Sequence, residues 1–438
     1  MTDTAVSRTA VRPEAAASGT PPDSGTVPTE PGARLAALFD PGSLRFLVPP
    51  GDCGAVSGTG TLAGTPAAGF ANDPRVQGGA MGSAGCAAIV AAYQQALSVG
   101  VPVIGLWHSG GARLREGAAS LHAVGTVFNA MTQASGLVPQ ISVVLGPAAG
   151  GAAYGPALTD IVIMAKAASI FVTGPGVVRS VTGEDVDMAR LGGPDPHSRR
   201  SGLAHLLAAS GQEALSLARR TALLLAEQGK VDLAAVTGPL PAPGGCPERG
   251  VRSLLQSLLD GPGLGLHPAW AASIVTVLGR LAGRTVGVVA SDPSRLGGCL
   301  DAAAADKAAR FVRMCDAFGV PLIVLVNTPG YLPGTAQERG GLARRGAKLM
   351  HAFAAAVVPR VTVVTGDAYG SAAVTLNSRA LGATRVFAWP GARFGPGGDG
   401  PAAALADEII HPAATREAVA RVIALAPCGR GAHRNIPL

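Results

Sequence analysis

Two stretches of this chain point to chemistry by what they lack. Val143–Ala153 reads VVLGPAAGGAA and Val363–Ala373 reads VVTGDAYGSAA. The first holds no acid, base, thiol or metal ligand, so what it offers is backbone. A β-branched run that ends in glycine and alanine and then enters a helix presents unpaired N–H groups at the first helical turn. Glycine lets a ligand atom approach those donors closely, and the helix dipole adds partial positive charge. That is the recipe for an oxyanion hole, which stabilises charge developing on a carbonyl oxygen, and a thioester enolate is its natural occupant. The competing reading is that small residues only permit close helix packing. A second segment in a matched place favours the chemical one.

Other chemistries find no support. The chain has no GxSxG nucleophile elbow and no GxxxxGK[ST] phosphate loop. His108-Ser109-Gly110-Gly111 has no matching serine, histidine and acid set, and His108 is expected to pack or hydrogen-bond locally. TGED (Thr182 to Asp185) is expected to cap a helix or form a tight turn, and RRGAKL (Arg344 to Leu349) to be a solvated helix face.

The elements that position the two segments repeat as well. VPVIGLWHSGGA from Val101 aligns with VPLIVLVNTPGY from Val320, an offset of 219, and PQISVVLGPAAGGAA from Pro139 aligns with PRVTVVTGDAYGSAA from Pro359, an offset of 220. Before each first block lies a helical run ending in glycine, CAAIVAAYQQALSVG or DKAARFVRMCDAFG. Apolar β runs alternating with helices predict α/β domains whose strands are buried on both faces. The repeat predicts two of them in tandem. At 438 residues the chain is also long for one core. Residues 1–33, rich in Ala, Pro, Ser and Thr, read as a disordered tail, and 34–236 as the N-terminal domain. The Pro/Gly-rich stretch 237–250 reads as a linker, and 251–438 as the C-terminal domain. Just before that linker, Ser210 and Glu213 form a capping box at the start of an amphipathic helix.

A hydrophobic fraction of 48% with only 14% charged residues predicts extensive subunit contacts. The net charge of +7 is mild and aromatics are 4%, which argues against nucleic acid as a partner. Six cysteines without CxxC or Cys/His spacing argue against a disulfide framework and a zinc site, and fit a reducing cytoplasm. No signal peptide or apolar span long enough for a membrane is present.

On the motifs SGGARLREG (Ser109 to Gly117), VPQISVVLGPAAGGAAYGPALTD (Val138 to Asp160), FVTGPGVVRSVTGEDV (Phe171 to Val186) and TPGYLPGTAQERGGLARRGAKL (Thr328 to Leu349), the chain resembles the carboxyltransferase (β) subunits of acetyl- and propionyl-CoA carboxylases. The resemblance runs from about Asp40 to the end. It implies two tandem crotonase-like domains (ββα superhelices), the N-terminal one for acyl-CoA and the C-terminal one for carboxybiotin, within a homodimer or homohexamer. It implies an oxyanion hole at Gly150 and Gly151 for the acyl-CoA enolate, and another at Ser371 and Ala372 for the biotin ureido carbonyl. Gly110, Gly111, Ala112, Ala152, Tyr154, Gly174, Pro175, Gly370 and Val374 are the implied substrate-contacting positions. Biotin would ride on a separate carrier or biotin carboxylase subunit, and no metal is implied.

The chain departs from the family pattern in several places, Val374 at the implied acyl-selecting position among them. GGAMGSAGCAA (Gly78 to Ala88) stands where the family has a charged, His-containing segment, and Gly176 replaces an aspartate. Ser371 replaces a glycine, and some tens of residues are missing after Trp389. These departures leave two alternatives: a biotin-independent decarboxylase or other enolate-forming enzyme on acyl-CoA or acyl-carrier protein, and a non-catalytic partner subunit.

Overall fold

In the computed structural model, which describes residues 27–236, 250–395 and 405–435, the sequence repeat becomes two eight-stranded sheets of one design. The first holds β1 (Arg45–Val48), β2 (Ala55–Leu62), β3 (Thr65–Asn72), β4 (Val103–Ser109), β5 (Gln140–Ala149), β6 (Ile161–Ala165), β7 (Ser169–Phe171) and β8 (Leu206–Ala208). The second holds β9 (Leu264–Leu266), β10 (Ile274–Leu281), β11 (Arg284–Ser291), β12 (Leu322–Thr328), β13 (Arg360–Tyr369), β14 (Arg385–Ala388), β15 (Arg393–Gly395) and β16 (Glu408–Ile409). The order β1-β2-β3-β4-β5-β6-β8, with β7 on the end of β5, recurs as β9-β10-β11-β12-β13-β14-β16, with β15 on the end of β13. The first three strands of each sheet pair antiparallel and the rest parallel. The fold is therefore the expected pair of crotonase-like α/β units.

The repeat reaches details that residue identity does not show. The two-residue turn Ala63-Gly64 joins β2 to β3 with both residues at positive φ (49° and 85°), and Ala282-Gly283 joins β10 to β11 the same way (49° and 83°). A non-glycine residue there costs about 1 kcal/mol, and each turn is clasped by a carboxylate. Asp40 accepts from the N–H groups of Ala63 (3.0 Å) and Gly64 (2.9 Å), and Asp260 from those of Ala282 (2.7 Å) and Gly283 (2.8 Å). Each carboxylate is in turn paired with an arginine, Arg219 or Arg416, at 2.6 Å. Arg219 and the turn N–H groups hold the Asp40 carboxyl below the usual carboxylate range. The two glycine-terminated runs are the helices Ser83–Val99 and Ala302–Phe318, closed by Gly100 and Gly319 in the left-handed region at φ 70° and 72°. At the predicted capping box, Ser210 Oγ accepts from the Glu213 N–H at 3.2 Å, whereas Glu213 reaches back to the N–H of Ala209.

Two boundaries differ from expectation. Residues 31–33, assigned to the tail on composition, are the first turn of a helix, Pro31–Leu38. Glu30 caps it through the N–H groups of Gly32 and Ala33, and Leu35 and Leu38 are fully buried in the core. Residues 1–26 lie outside the described residues, as does the linker except Gly250. At the other end, Arg430 to Asn435 bridge the two halves, with Arg430 also donating to Ala317 O (2.8 Å) in the C-terminal one. Arg430 donates to Leu137 O (2.9 Å), Ser135 Oγ to Asn435 O (2.8 Å), and Asn435 Nδ2 to Asp160 Oδ1 (2.6 Å).

One apolar core runs through both halves and includes Leu35, Ile104 and Leu224 with Leu278, Phe311 and Val324. The helix Ala302–Phe318 has fourteen of seventeen residues buried because both halves cover it. From it Arg310 donates to Thr159 O at 2.6 Å, and beside it the rings of His205 and His267 lie 4.1 Å apart. The Val162 N–H donates to His205 Nδ1 (3.1 Å), and His267 Nε2 donates to Gly202 O (2.7 Å), so each neutral ring has a backbone partner. Burial pushes both pKa values down, His267 to about 3, helped by the charges of Lys307 and Arg310. A histidine depressed in the folded state contributes stability that is present above its unfolded value of 6.5 and lost as pH falls toward the folded value. Asp160, raised to about 6 by burial, acts oppositely, with stability present below 3.8 and lost as pH rises through 6. The fall of His267 from 6.5 to about 3 exceeds the rise of Asp160 from 3.8 to about 6, and His205 shifts in the same direction as His267. The melting temperature is expected to fall steadily from pH 6.5 to pH 4, and His267→Gln is expected to flatten that profile. A profile unchanged by the substitution would place the acid sensitivity elsewhere.

Candidate active site

The two Gly/Ala segments occupy equivalent places, each at the carboxyl end of a central parallel strand. In the first half β5 runs into the helix Gly151–Leu158, with Gly150 as its cap at φ 57°, ψ −126°. Gly150 was expected to supply a donor, but its N–H is taken by Phe171 O at 3.0 Å, which continues the β5–β7 ladder. The donors without an intrahelical acceptor are those that follow, Gly151 first. The neighbouring loop after β4 spends its donors in the same way. The Gly110 N–H goes to Gly78 O (3.0 Å) and the Gly111 N–H to Ser109 Oγ (3.2 Å), while Gly111 O accepts from Met81 (2.7 Å). Ala112 is left, and no acceptor meets its N–H among the described residues. The loops are in close contact, for a Cβ on Gly111 (φ 104°) would lie 2.8 Å from Ala149 O. Glycine is required there. Ala112 and Gly151, which follow β4 and β5, thus carry backbone N–H groups that meet no acceptor among the described residues.

The other expected positions of this half lie on the elements that follow β5. Ala152 is buried beneath the helix, while Tyr154 is half-exposed and stands edge-on to Phe128 at 6.1 Å. Gly174 and Pro175 open the helix Pro175–Thr182, a surface helix with no buried residue, tied to Gly150 through β7. Thr182 ends that helix and Gly183 closes it at φ 76°, so TGED is a helix terminus. His108 packs its ring under Gly146, where a Cβ would come within 2.6 Å of it, and contacts Arg34 at 3.4 Å. Burial and the Arg34 charge push its pKa down to about 4, which makes it a neutral packing residue. RRGAKL lies on the helix Leu342–Ala355, where Arg345 and Lys348 both pair with Asp306, at 3.0 and 3.2 Å.

The second half rebuilds the same constellation. The Gly330 N–H goes to Thr328 Oγ1 (3.2 Å), and Gly330 O accepts from Leu300 (3.0 Å). Tyr331 stands where Ala112 stands, and its N–H has no acceptor among the described residues. Ser371 occupies the place of Gly151, exposed, near the start of the helix Gly370–Thr375, with Gly370 at φ 60° and Ala372 buried. Val374 is 44% exposed and faces solvent beside Ser371. The Tyr331 hydroxyl bonds Thr375 Oγ1 (3.1 Å), which bonds Ser371 O (2.8 Å), so the phenol braces the short helix from below. Tyr331 was not among the residues singled out in the sequence. The 219-residue offset that pairs it with Ala112 was the signal for it. Asn327 lies under Gly366 as His108 lies under Gly146, which accounts for the glycine shared at those two positions.

The family model for the carboxyl transferase domain matches residues 49–426. This chain belongs to the carboxyl transferase family. Among relatives of this carboxyl transferase, the beta6 subunit of the biotin-dependent acetyl-/propionyl-coenzyme A carboxylase of Mycobacterium tuberculosis is 47% identical over 459 positions, covering 94% of this chain and 97% of that protein. Those 459 positions exceed the 438 residues of this chain, so some of them have no counterpart here. The propionyl-CoA carboxylase beta chain of Rhodococcus erythropolis is 54% identical, covering 84% of this chain and 79% of that one. In structure, the transcarboxylase 12S hexamer, with hydrolysed methylmalonyl-coenzyme A bound, superposes with a TM-score of 0.83 at 36% identity over 92% of each chain.

Proposed function

We propose that this chain is the carboxyltransferase subunit of a biotin-dependent acyl-CoA carboxylase, moving a carboxyl group between carboxybiotin and an acyl-CoA enolate. The observation that carries it is the free donor pair Ala112/Gly151, repeated as Tyr331/Ser371, in a member of this family. Ala112 and Gly151 hold the thioester oxygen of acyl-CoA and strengthen their grip as negative charge develops on it, which is where such donors act most. Tyr154 and the exposed helix Pro175–Thr182 border the acyl-CoA. The donors of Tyr331 and Ser371 fit a neutral carbonyl such as that of the biotin ureido ring, since a Cβ at Gly370 would meet nothing within 4 Å and the approach is open. Carboxybiotin on a partner subunit supplies the carboxyl group when bound there. Val374 lies at the rim and bears on which acyl group is accepted. The chain works as a homodimer or homohexamer in the cytoplasm; among the described residues no helix is long and apolar enough to cross a membrane.

A second reading, decarboxylation without biotin, is favoured by the six-residue helix at Ser371 and the shortened region after Trp389. One assay separates the readings. The purified chain is incubated with malonyl- or methylmalonyl-CoA, with and without free biotin or a biotinylated carrier, and carboxyl loss is followed by mass spectrometry. Biotin-dependent loss is expected. Equal turnover without biotin would establish the decarboxylase instead, and silence in every combination, with co-purification of a sister subunit, a non-catalytic role.

A further inference from the structure

At the outer edge of the second sheet, β9 covers only part of β10. It pairs with Thr276, Val277 and Leu278, and leaves Ile274 and Val275 without a strand on that side. A cavity of about 200 Å³ opens there, between the strand edge and the helix Gly250–Leu258. Leu255 and Leu259 line it from the helix side, and Leu266, Val275 and Val277 from the sheet. Gly265, paired with Val277, also lines it, and a Cβ built on Gly265 would meet nothing within 4 Å. Part of the volume is thus the side chain that this strand position lacks.

The charges around the cavity have one sign. Among the described residues two cations line it, Arg252 and Lys307, and no acid does. Lys307 sits at the inner wall with its ammonium donating to Ile274 O (2.6 Å), His267 O (2.9 Å) and Trp270 O (3.0 Å). Burial, with the Arg252 charge added, pushes its pKa down to about 7, and Asp301 pulls the other way while capping the Ala304 N–H. Arg252 is exposed, and no carboxylate or carbonyl pairs with it among the described residues. The Lys307 donors are taken by those carbonyls, so Arg252 at the rim is the cation left to meet an anion.

We infer that this cavity binds small aliphatic carboxylates, with the carboxylate at Arg252 and the tail against Leu255, Leu259, Val275 and Val277. It is a site apart from the paired backbone donors, three strand spacings or about 14 Å from β12. Taking about 30 Å³ for each water-sized volume, it has room for a tail of a few carbons.

Calorimetry on the full chain with hexanoate, hexanol and acetate tests it. Hexanoate is expected to bind at least tenfold more tightly than hexanol, which lacks the charge, or acetate, which lacks the tail. Gly265→Leu fills the cavity from an unobstructed position, and Arg252→Ala removes the rim cation. Each is expected to weaken hexanoate at least tenfold while the melting temperature and carboxyl-transfer rate stay as in the parent. Hexanoate that fails to bind the parent, that binds Gly265→Leu as well as the parent, or that is matched by hexanol, would overturn the proposal.

Discussion

Gly151→Pro is expected to lower the carboxyl-transfer rate by about 10²–10³-fold, the usual cost of removing one oxyanion donor. The substitution replaces the N–H that the first site depends on by the ring Cδ while leaving the helix intact. Gly151 is the first residue of its helix, the position where proline is best tolerated because its nitrogen has no intrahelical bond to lose. A Cβ there meets only Val124 Cγ1, at an ordinary 3.4 Å. Gly151→Ala adds the same Cβ and keeps the N–H, so it is expected to stay within a few-fold of the parent. Because the donor matters more to the enolate than to the ground-state thioester, kcat and kcat/KM should fall together in the proline variant. Steady-state kinetics on both variants is the measurement. A proline variant within a few-fold of the alanine variant would remove Gly151 from the site.

Lys307→Met is expected to lower stability by about 3–5 kcal/mol, because it strips the donor from buried acceptors and replaces it with nothing. His267 O and Trp270 O, with Ala271 O at 3.3 Å, come from the stretch that joins β9 to β10, and Ile274 O from the first residue of β10 on the side that β9 does not reach; all meet at the lysine nitrogen. Those carbonyls have no strand neighbour to turn to, and the lysine is 2% exposed, so water does not readily substitute. Chemical denaturation of the parent and variant measures the loss. An unchanged midpoint would show that the connection repacks around methionine at little cost. The same substitution is expected to leave the first site's chemistry intact in whatever fraction stays folded, since Lys307 touches neither β4 nor β5.

Much of this was legible in the chain itself, for a physical reason. Parallel strands buried on both faces must be apolar runs, so VPVIGLW and VPLIVLV declare themselves, and a repeat of such runs at 219–220 residues can only be a repeated fold. A site built from backbone donors needs small residues, and those are visible as composition. Family membership followed from the same motifs. Which N–H groups are free is a different matter, because it depends on what the neighbouring strand takes. Gly150 was named as a donor and is spent on Phe171; Ala112 was named only as a contact and is free. Tyr331 was overlooked because its backbone, not its phenol, matches Ala112. The tail boundary failed at Pro31 because the Pro/Gly/Ala composition around it matches a coil as well as a helix start, and only burial of Leu35 and Leu38 decides between them.

By itself the sequence determined the α/β class, the duplication and the two backbone segments, all of which follow from periodicity and residue size along the chain. Tertiary structure alone decided which donors face outward, how the last residues return to the N-terminal half through Asn435 and Asp160, and where a buried lysine finds its acceptors. Those are contacts between residues far apart in sequence, made where one strand or loop ends and another begins. Hydrogen-bond accounting at such places depends on geometry that no local pattern of residues encodes.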